Sequence, residues 1–214
     1  MSAIKQSLKK ILPPSLIRAG GQSLDALQRS KGWPEATFHP WRRDTMRRMA
    51  ALKDSRKGER CFIIGNGPSL RETDLSKLKG EFSIGMNRIY LMYPELGFST
   101  SYYLSVNDLV VEQCAADIQA LKLPRFVSWR ARRWLRPEDD LYFLYTTYTG
   151  AGFQKNAAHR LWEGATVTFV AMQLAFYLGF QQVVLIGVDH NFVTQGKPNT
   201  TVVSGGDDPN HFSP

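Results

Sequence analysis

The sequence predicts an α/β fold: a mostly parallel sheet with helices on both faces, preceded by a helical N-terminal extension. Three observations predict it. Short apolar runs recur from residue 61 onward, and several end in Gly, Asn or Asp. Segments with helical spacing separate them, and strand–helix alternation implies a parallel sheet covered on both sides. The first run, Cys61 to Ile64, stops at Gly65-Asn66-Gly67-Pro68-Ser69. An apolar run ended this way reads as a buried strand delivered into a tight turn, and ligands bind at that edge of a parallel sheet.

The elements follow in order. Ile4, Leu8, Ile11 and Leu12 share a helical face, with Lys5, Lys9 and Lys10 elsewhere. Pro13-Pro14 ends that helix, a second is expected over 15–29, and Gly32-Trp33-Pro34 is expected to break it. A basic helix is expected over 41–53, then a charged linker from Asp54 to Glu59. Strands are expected at 61–64, 82–86, 101–106, 125–129, 141–145 and 182–187, and helices at 74–79, 108–121 and 164–178. In the last helix Val167, Val170, Ala171, Leu174 and Leu178 are spaced for a buried face, and Gly179 suits its end. Residues 1–58 therefore read as a basic extension, dispensable for ligand binding, and 59–214 as the binding domain. The ending Asp207-Asp208-Pro209-Asn210-His211-Phe212-Ser213-Pro214 reads as mid-loop, so that domain is expected to be truncated at its C-terminus.

Composition narrows the function. The net charge of +8 is uneven: residues 1–58 hold thirteen Lys/Arg against four Asp/Glu. The remainder is nearly neutral, so the basic character belongs to the extension. Such an extension suits an anionic membrane surface or packs on the domain as solvated helices. No aromatic interleaving or nucleic-acid module accompanies it, so no nucleic acid is expected. Two cysteines, Cys61 and Cys114, sit in apolar patterns, which points to reduced thiols in a cytoplasmic protein and gives no metal centre. No signal peptide is evident, and the stretch 165–179 is too short and polar to span a bilayer.

The chemistry concentrates at strand ends. Gly65 and Gly67 carry no Cβ, so backbone N–H groups of the turn, Ser69 included, are expected to face a phosphate. Asn66 adds an amide that both donates and accepts. The turn is not a Walker loop, because no Lys-Ser/Thr follows, and Leu70 stands where a dinucleotide fingerprint needs its third Gly. Asn87 and Asn107 end two further strands, and Gly187-Val188-Asp189 ends another. Asp189 is expected either to bind a ribose hydroxyl or to cap the loop. His190 beside it either touches substrate or orients Asp189. Arg125, Arg130, Arg132, Arg133 and Arg136 crowd one segment, read as a solvated rim ahead of a phosphate-attracting patch. Tyr145 to Gly150 is rich in hydroxyls and reads as an exposed turn ahead of a pocket wall. His159 reads as surface loop without a role.

This order of segments resembles the MptE-like domain family, named for archaeal 6-hydroxymethylpterin diphosphokinase, over about 60–214. It also resembles the bacterial sialyltransferases of glycosyltransferase family 42, which open with the same Gly-Asn-Gly-Pro-Ser-Leu. The resemblance implies a Rossmann-like domain. In the sialyltransferases, asparagines matching Asn66, Asn87 and Asn107 contact a cytidine nucleotide. A His in a context like Asn210-His211-Phe212 acts there as general base on the acceptor hydroxyl. Departures accompany the likeness. Thr166-Val167-Thr168 stands where those enzymes carry Thr-Ser-Gly, and Asn191-Phe192 where they carry phosphate-binding tyrosines.

The first functional expectation is a nucleotide-dependent glycosyltransferase acting on a CMP-type donor and a hydroxyl acceptor, with no metal or other cofactor. Its nucleotide would be held by Gly65, Asn66, Gly67, Ser69, Asn87, Asn107 and Asp189. His211 would be the base, with His190 as the further catalytic candidate. The alternative keeps the fold and moves pyrophosphate from ATP to a pterin-like alcohol, which requires Mg2+; Asp108 and Asp189 are the carboxylates available to it. A third possibility is a non-catalytic nucleotide-binding module. The expected location is cytoplasmic, peripheral to the inner face of the membrane if residues 1–58 contact lipid. Nothing in the sequence fixes the oligomer.

Overall fold

A computed structural model describes residues 14–189. The chain enters through helix α1 (Pro14–Phe38) and helix α2 (Pro40–Leu52). Strand β1 (Arg60–Ile64), β2 (Ser83–Met86), a single helical turn α3 (Tyr93–Leu96) and β3 (Tyr102–Ser105) follow. Two short helices, α4 (Asp108–Gln113) and α5 (Ala115–Ala120), lead to β4 (Arg125–Ser128) and β5 (Leu141–Thr147). The described chain ends with β6 (Arg160–Trp162), α6 (Val167–Leu178) and β7 (Gln182–Ile186).

All seven strands join one sheet in the order β6-β5-β4-β3-β2-β1-β7. Every pairing is parallel. The chain lays strands outward from β1 to β6, then returns to place β7 on the other side of β1. The order therefore reverses at β1, and a parallel sheet opens a crevice beyond its strand ends at such a reversal.

Alternation along the strands divides the core in two. On one face Cys61, Ile63, Ile84, Tyr102, Leu104 and Phe126 pack under α6 through Val170, Ala171, Leu174 and Leu178. An aromatic row runs across this face, with ring centroids 4.9 Å apart for Phe82–Tyr102, 5.0 Å for Tyr102–Phe126 and 4.7 Å for Phe126–Tyr142. Burying one such side chain contributes about 1.5–3 kcal/mol. On the other face Ile64, Tyr103, Val127 and Phe143 pack against Val111, Ile118 and Trp129. Burial pushes the Cys61 thiol up to about 12, so it stays protonated and inert. Among the described residues no helix is long and apolar enough to cross a membrane.

Several expected elements change form. Helix α1 runs straight through Pro34, where a break is expected. Pro34 forfeits one hydrogen bond, but the next residues anchor the helix: Ala36 is buried, and Glu35 takes a forked bond from Arg132. The helix expected over 74–79 is a pair of 3-10 turns, Pro68–Glu72 and Leu75–Leu78. The one expected over 108–121 divides at Cys114 (φ −113°, ψ 20°). Strand β6 was not anticipated; three residues including an Arg carry too little alternation to read. Residues 1–13 lie outside the described residues, and with them the helix expected at 4–12.

Helix α2 is built into the domain. Met49 is fully buried, Tyr177 Oη donates to its carbonyl at 2.9 Å, and the Phe143 N–H donates to Thr45 Oγ1 at 3.2 Å. Arg42 is 1% exposed and donates from Nη2 to the carbonyls of Ala158 and His159 at 2.6 and 2.7 Å. Burial without a carboxylate partner lowers its pKa to about 10. Met49→Ala is therefore expected to cost about 2–5 kcal/mol in urea unfolding. Leu24→Ala, at a site 59% exposed on α1, should stay within about 0.5 kcal/mol. Equal small effects would mean that α2 contributes no core.

Candidate functional site

A cleft of about 390 Å³ opens at the carboxyl ends of β1, β2 and β7, where the strand order reverses. Gly65, Asn66 and Gly67 form one wall, Met86 and Asn87 a second, and Gly187, Val188 and Asp189 a third. The amino end of α6 closes it with Ala165, Thr166, Val167 and Thr168.

The turn after β1 is used differently from the expectation. The Gly65 N–H donates to the Ile186 carbonyl at 2.8 Å and the Gly67 N–H to the Gly187 carbonyl at 2.9 Å. The Ser69 N–H donates to Asp189 Oδ2 at 2.9 Å. These three donors extend the β1–β7 ladder and hold the Asp189 carboxylate, so they do not face a phosphate. The glycines are explained by close approach instead. A Cβ on Gly65 would stand 2.2 Å from the Gly187 carbonyl oxygen, and one on Gly67 2.1 Å from Asp189 Oδ2. Asp189 thus caps the loop, and its carboxylate also lines the cleft.

Asn66 and Asn87 line the cleft from the ends of β1 and β2. Asn66 Nδ2 donates to the Met86 carbonyl at 2.9 Å, which fixes the amide orientation. Its Oδ1 is buried and has no partner among the described residues. An unmet buried acceptor costs about 1–3 kcal/mol, so this oxygen favours a ligand that donates. Asn87 adopts a left-handed φ of 51°, a conformation that Asn tolerates better than most residues. Its N–H continues the ladder to the Leu104 carbonyl, and its Oδ1 accepts from Ser105 Oγ at 3.2 Å. Among the described residues its Nδ2 has no acceptor.

Asn107 stands at the end of β3, on the same edge of the sheet but outside the cleft lining. It caps α4, its Oδ1 accepting from the Leu109 N–H at 3.0 Å. The sequence thus names three asparagines, and the fold brings two of them into the cleft. His190 and His211 lie outside the described residues.

The amino end of α6, noted in the sequence only as a departure from the sialyltransferases, lines the cleft. Gly164 and Ala165 are both left-handed (φ 58° and 63°), which turns the chain sharply into the helix. Thr166 caps it, its Oγ1 accepting from the Thr168 N–H at 3.3 Å. No acidic side chain occupies the first turn. The remaining amino-terminal N–H groups and the helix dipole make this end favourable to negative charge. The run Thr166-Val167-Thr168 was its only signal, because the strand before it is too short to recognise.

The profile of the MptE-like family, described as 6-hydroxymethylpterin diphosphokinase MptE-like, matches residues 42–195. The chain belongs to the MptE-like family. That description names a diphosphokinase, an enzyme of the transferase class. The match begins within α2, consistent with the packing of that helix on the sheet. Comparison with curated proteins returns no match. Among solved structures, the MAf glycosyltransferase from Magnetospirillum magneticum AMB-1 is similar at 18% identity and a TM-score of 0.46, over 75% of this chain and 29% of that one. The chain therefore spans less than a third of that enzyme's length.

Of the five arginines read as a solvated rim, Arg133 and Arg136 are exposed as expected, and Arg125, Arg130 and Arg132 are not. Arg125 is fully buried and paired with Glu138 and Asp140. Arg132 forks onto Glu35 and lies 4.4 Å over the Trp129 ring. Arg130 is enclosed by carboxylates at the carboxyl edge. Burial pushes its pKa down, but the Asp108 hydrogen bond and the Glu163 charge more than offset this, and the net shift is upward.

Proposed function

We propose that this MptE-like protein is a nucleotide-dependent transferase, and specifically a glycosyltransferase taking a CMP-type sugar donor. The observation that carries the reading is the pair of carboxamides in the cleft. Asn66 offers a buried acceptor and Asn87 offers donors. A cytosine presents an amine donor and, next to it, ring-nitrogen and carbonyl acceptors along one edge, and the pair of carboxamides is complementary to that edge. The amino end of α6 lies in the same cleft, where the phosphate of a nucleotide gains from the helix dipole. Asn107, on the neighbouring strand end, extends the nucleotide contacts beyond the cleft. His211 takes the proton from the acceptor hydroxyl, with His190 as the second candidate. A His of near-neutral pKa suits that role.

The family's description favours a second reading, pyrophosphoryl transfer from ATP to a pterin-like alcohol. That chemistry rests on Mg2+ held by carboxylates. The donor set fits it poorly. Among the described residues Asp189 is the one carboxylate lining the cleft, and its Oδ2 is engaged by the Ser69 N–H. Asp108 is committed to Arg130 at 2.9 Å through both oxygens. Among the described residues no group of three or more His, Cys, Asp or Glu is arranged to hold a metal.

Titration of CMP, UDP, GDP and ATP, first in EDTA and then in Mg2+, separates the readings. The expected result is CMP binding that survives EDTA. ATP binding only with Mg2+, with none for CMP, would replace the first reading with the second. No binding of any of the four would remove the nucleotide site altogether. Residues 1–58 carry the proposed membrane contact, and binding to anionic vesicles that is lost on neutralising Lys5, Lys9 and Lys10 would support it.

A further inference from the structure

Arg130 follows β4 and sits beside the cleft without lining it. Its Nε donates to both oxygens of Asp108 at 2.9 Å. Its Nη2 donates to Glu163 Oε1 at 2.8 Å and to the Val106 carbonyl at 3.2 Å. Its Nη1 donates to the Thr146 carbonyl and hydroxyl at 3.3 and 3.2 Å. The Tyr148 ring covers it, 4.9 Å away. All three guanidinium nitrogens are engaged within the protein, so Arg130 is not built to grip a ligand. Its partners nonetheless come from the carboxyl ends of β3, β5 and β6.

Two of those partners have particular neighbours. Val106 and Asp108 flank Asn107, so the guanidinium holds the backbone before it and the side chain after it. Glu163 opens the left-handed turn through Gly164 and Ala165 that delivers Thr166 and the amino end of α6. The Glu163 carbonyl accepts from the Thr166 N–H at 3.0 Å. Glu163 is 4% exposed, and a carboxylate so buried needs a cation with matching geometry. A planar fork satisfies several acceptors in fixed directions, and an ammonium does not.

We propose that Arg130 is a positioning residue that ties the Asn107 shoulder to the Glu163–Thr166 turn and so fixes the α6 wall of the cleft relative to the Asn107 contact beside it. The functional part of this inference rests on the nucleotide reading above. Its structural part does not.

The test compares the wild-type chain with Arg130→Met and Arg130→Lys by amide hydrogen exchange and by CMP and ATP titration. Two reporters matter: the Leu109 N–H, bonded to Asn107 Oδ1, and the Thr166 N–H, bonded to the Glu163 carbonyl. In Arg130→Met both should exchange at least about tenfold faster, while the Gly67 N–H on the β1–β7 ladder keeps its protection. Arg130→Lys keeps the charge and loses the fork, and both reporters should fall between. Simple loss of stability would speed all three amides together, and that result overturns the proposal. So does a change at one reporter alone or at neither. Should the Met variant fail to fold, the Lys variant carries the same comparison. If the wild type binds CMP or ATP, Arg130→Met should weaken that binding at least about tenfold, and unchanged affinity refutes the coupling to function. A wild type that binds neither nucleotide overturns the nucleotide reading and leaves the exchange test standing.

Discussion

Gly65→Val is expected to destabilise the protein by at least about 3 kcal/mol and to abolish nucleotide binding. Valine is among the best strand formers, so local propensity alone predicts a neutral or favourable change at the end of β1. Contact decides the sign. A Cβ at this position would sit 2.2 Å from the Gly187 carbonyl oxygen, 2.8 Å from its carbon and 3.2 Å from Val188 Cγ2. Two of these are backbone atoms and cannot rotate aside. The strands must separate where the Gly65 N–H meets the Ile186 carbonyl, and the walls of the cleft separate with them. Gly80→Ala is the useful comparison. Gly80 is restricted by its backbone instead, with φ of 88°, and nothing lies within 4 Å of its Cβ position. It should cost about 1 kcal/mol from backbone strain and leave the cleft intact. Urea unfolding and CMP titration of both variants check this. A Gly65→Val protein as stable as Gly80→Ala would show that β1 and β7 are not in the close contact described.

His211→Ala is expected to lower turnover by about 10²–10⁴-fold, the usual contribution of a general base. Nucleotide affinity should stay within about 1 kcal/mol, because the base acts on the acceptor and not on the donor. Asn87→Ala should do the reverse. It should lose about 1–3 kcal/mol of nucleotide binding, as polar groups on the ligand go unpaired. The two variants together separate binding from chemistry. The measurement is steady-state turnover beside CMP titration, in a form of the protein that transfers sugar. Full activity in His211→Ala would remove this residue from the mechanism and move the test to His190, the other imidazole at that end of the chain.

The glycine-rich turn illustrates how a correct motif can carry an incorrect mechanism. Gly65 and Gly67 are required by backbone proximity, as expected, but the neighbour is β7 rather than a phosphate. A Gly-x-Gly sequence reports only that something approaches closely. The partner is β7, more than a hundred residues further along the chain, and no local pattern identifies it. The anion-favouring backbone lies instead at the amino end of α6, formed by two left-handed residues that propensity does not announce.

What the sequence determined by itself is the alternation of strands and helices, the parallel sheet it implies, and the edge at which Gly65, Asn66, Asn87 and Asp189 gather. These follow from local rules: apolar runs set strands, helical spacing sets helices, and parallel strands put their carboxyl ends on one side. Tertiary structure alone decided four things. It put β7 beside β1 and so placed the cleft. It brought Asn66 and Asn87 into that cleft and left Asn107 outside it as a helix cap. It carried α1 through Pro34 and packed Met49 of α2 into the core. And it made Arg125 a buried and Arg130 a half-buried ion-pair centre where a solvated rim was expected. The physical reason is common to all four. Each depends on which distant group satisfies a hydrogen bond, a charge or an apolar surface, and that partner is chosen by the three-dimensional path of the chain.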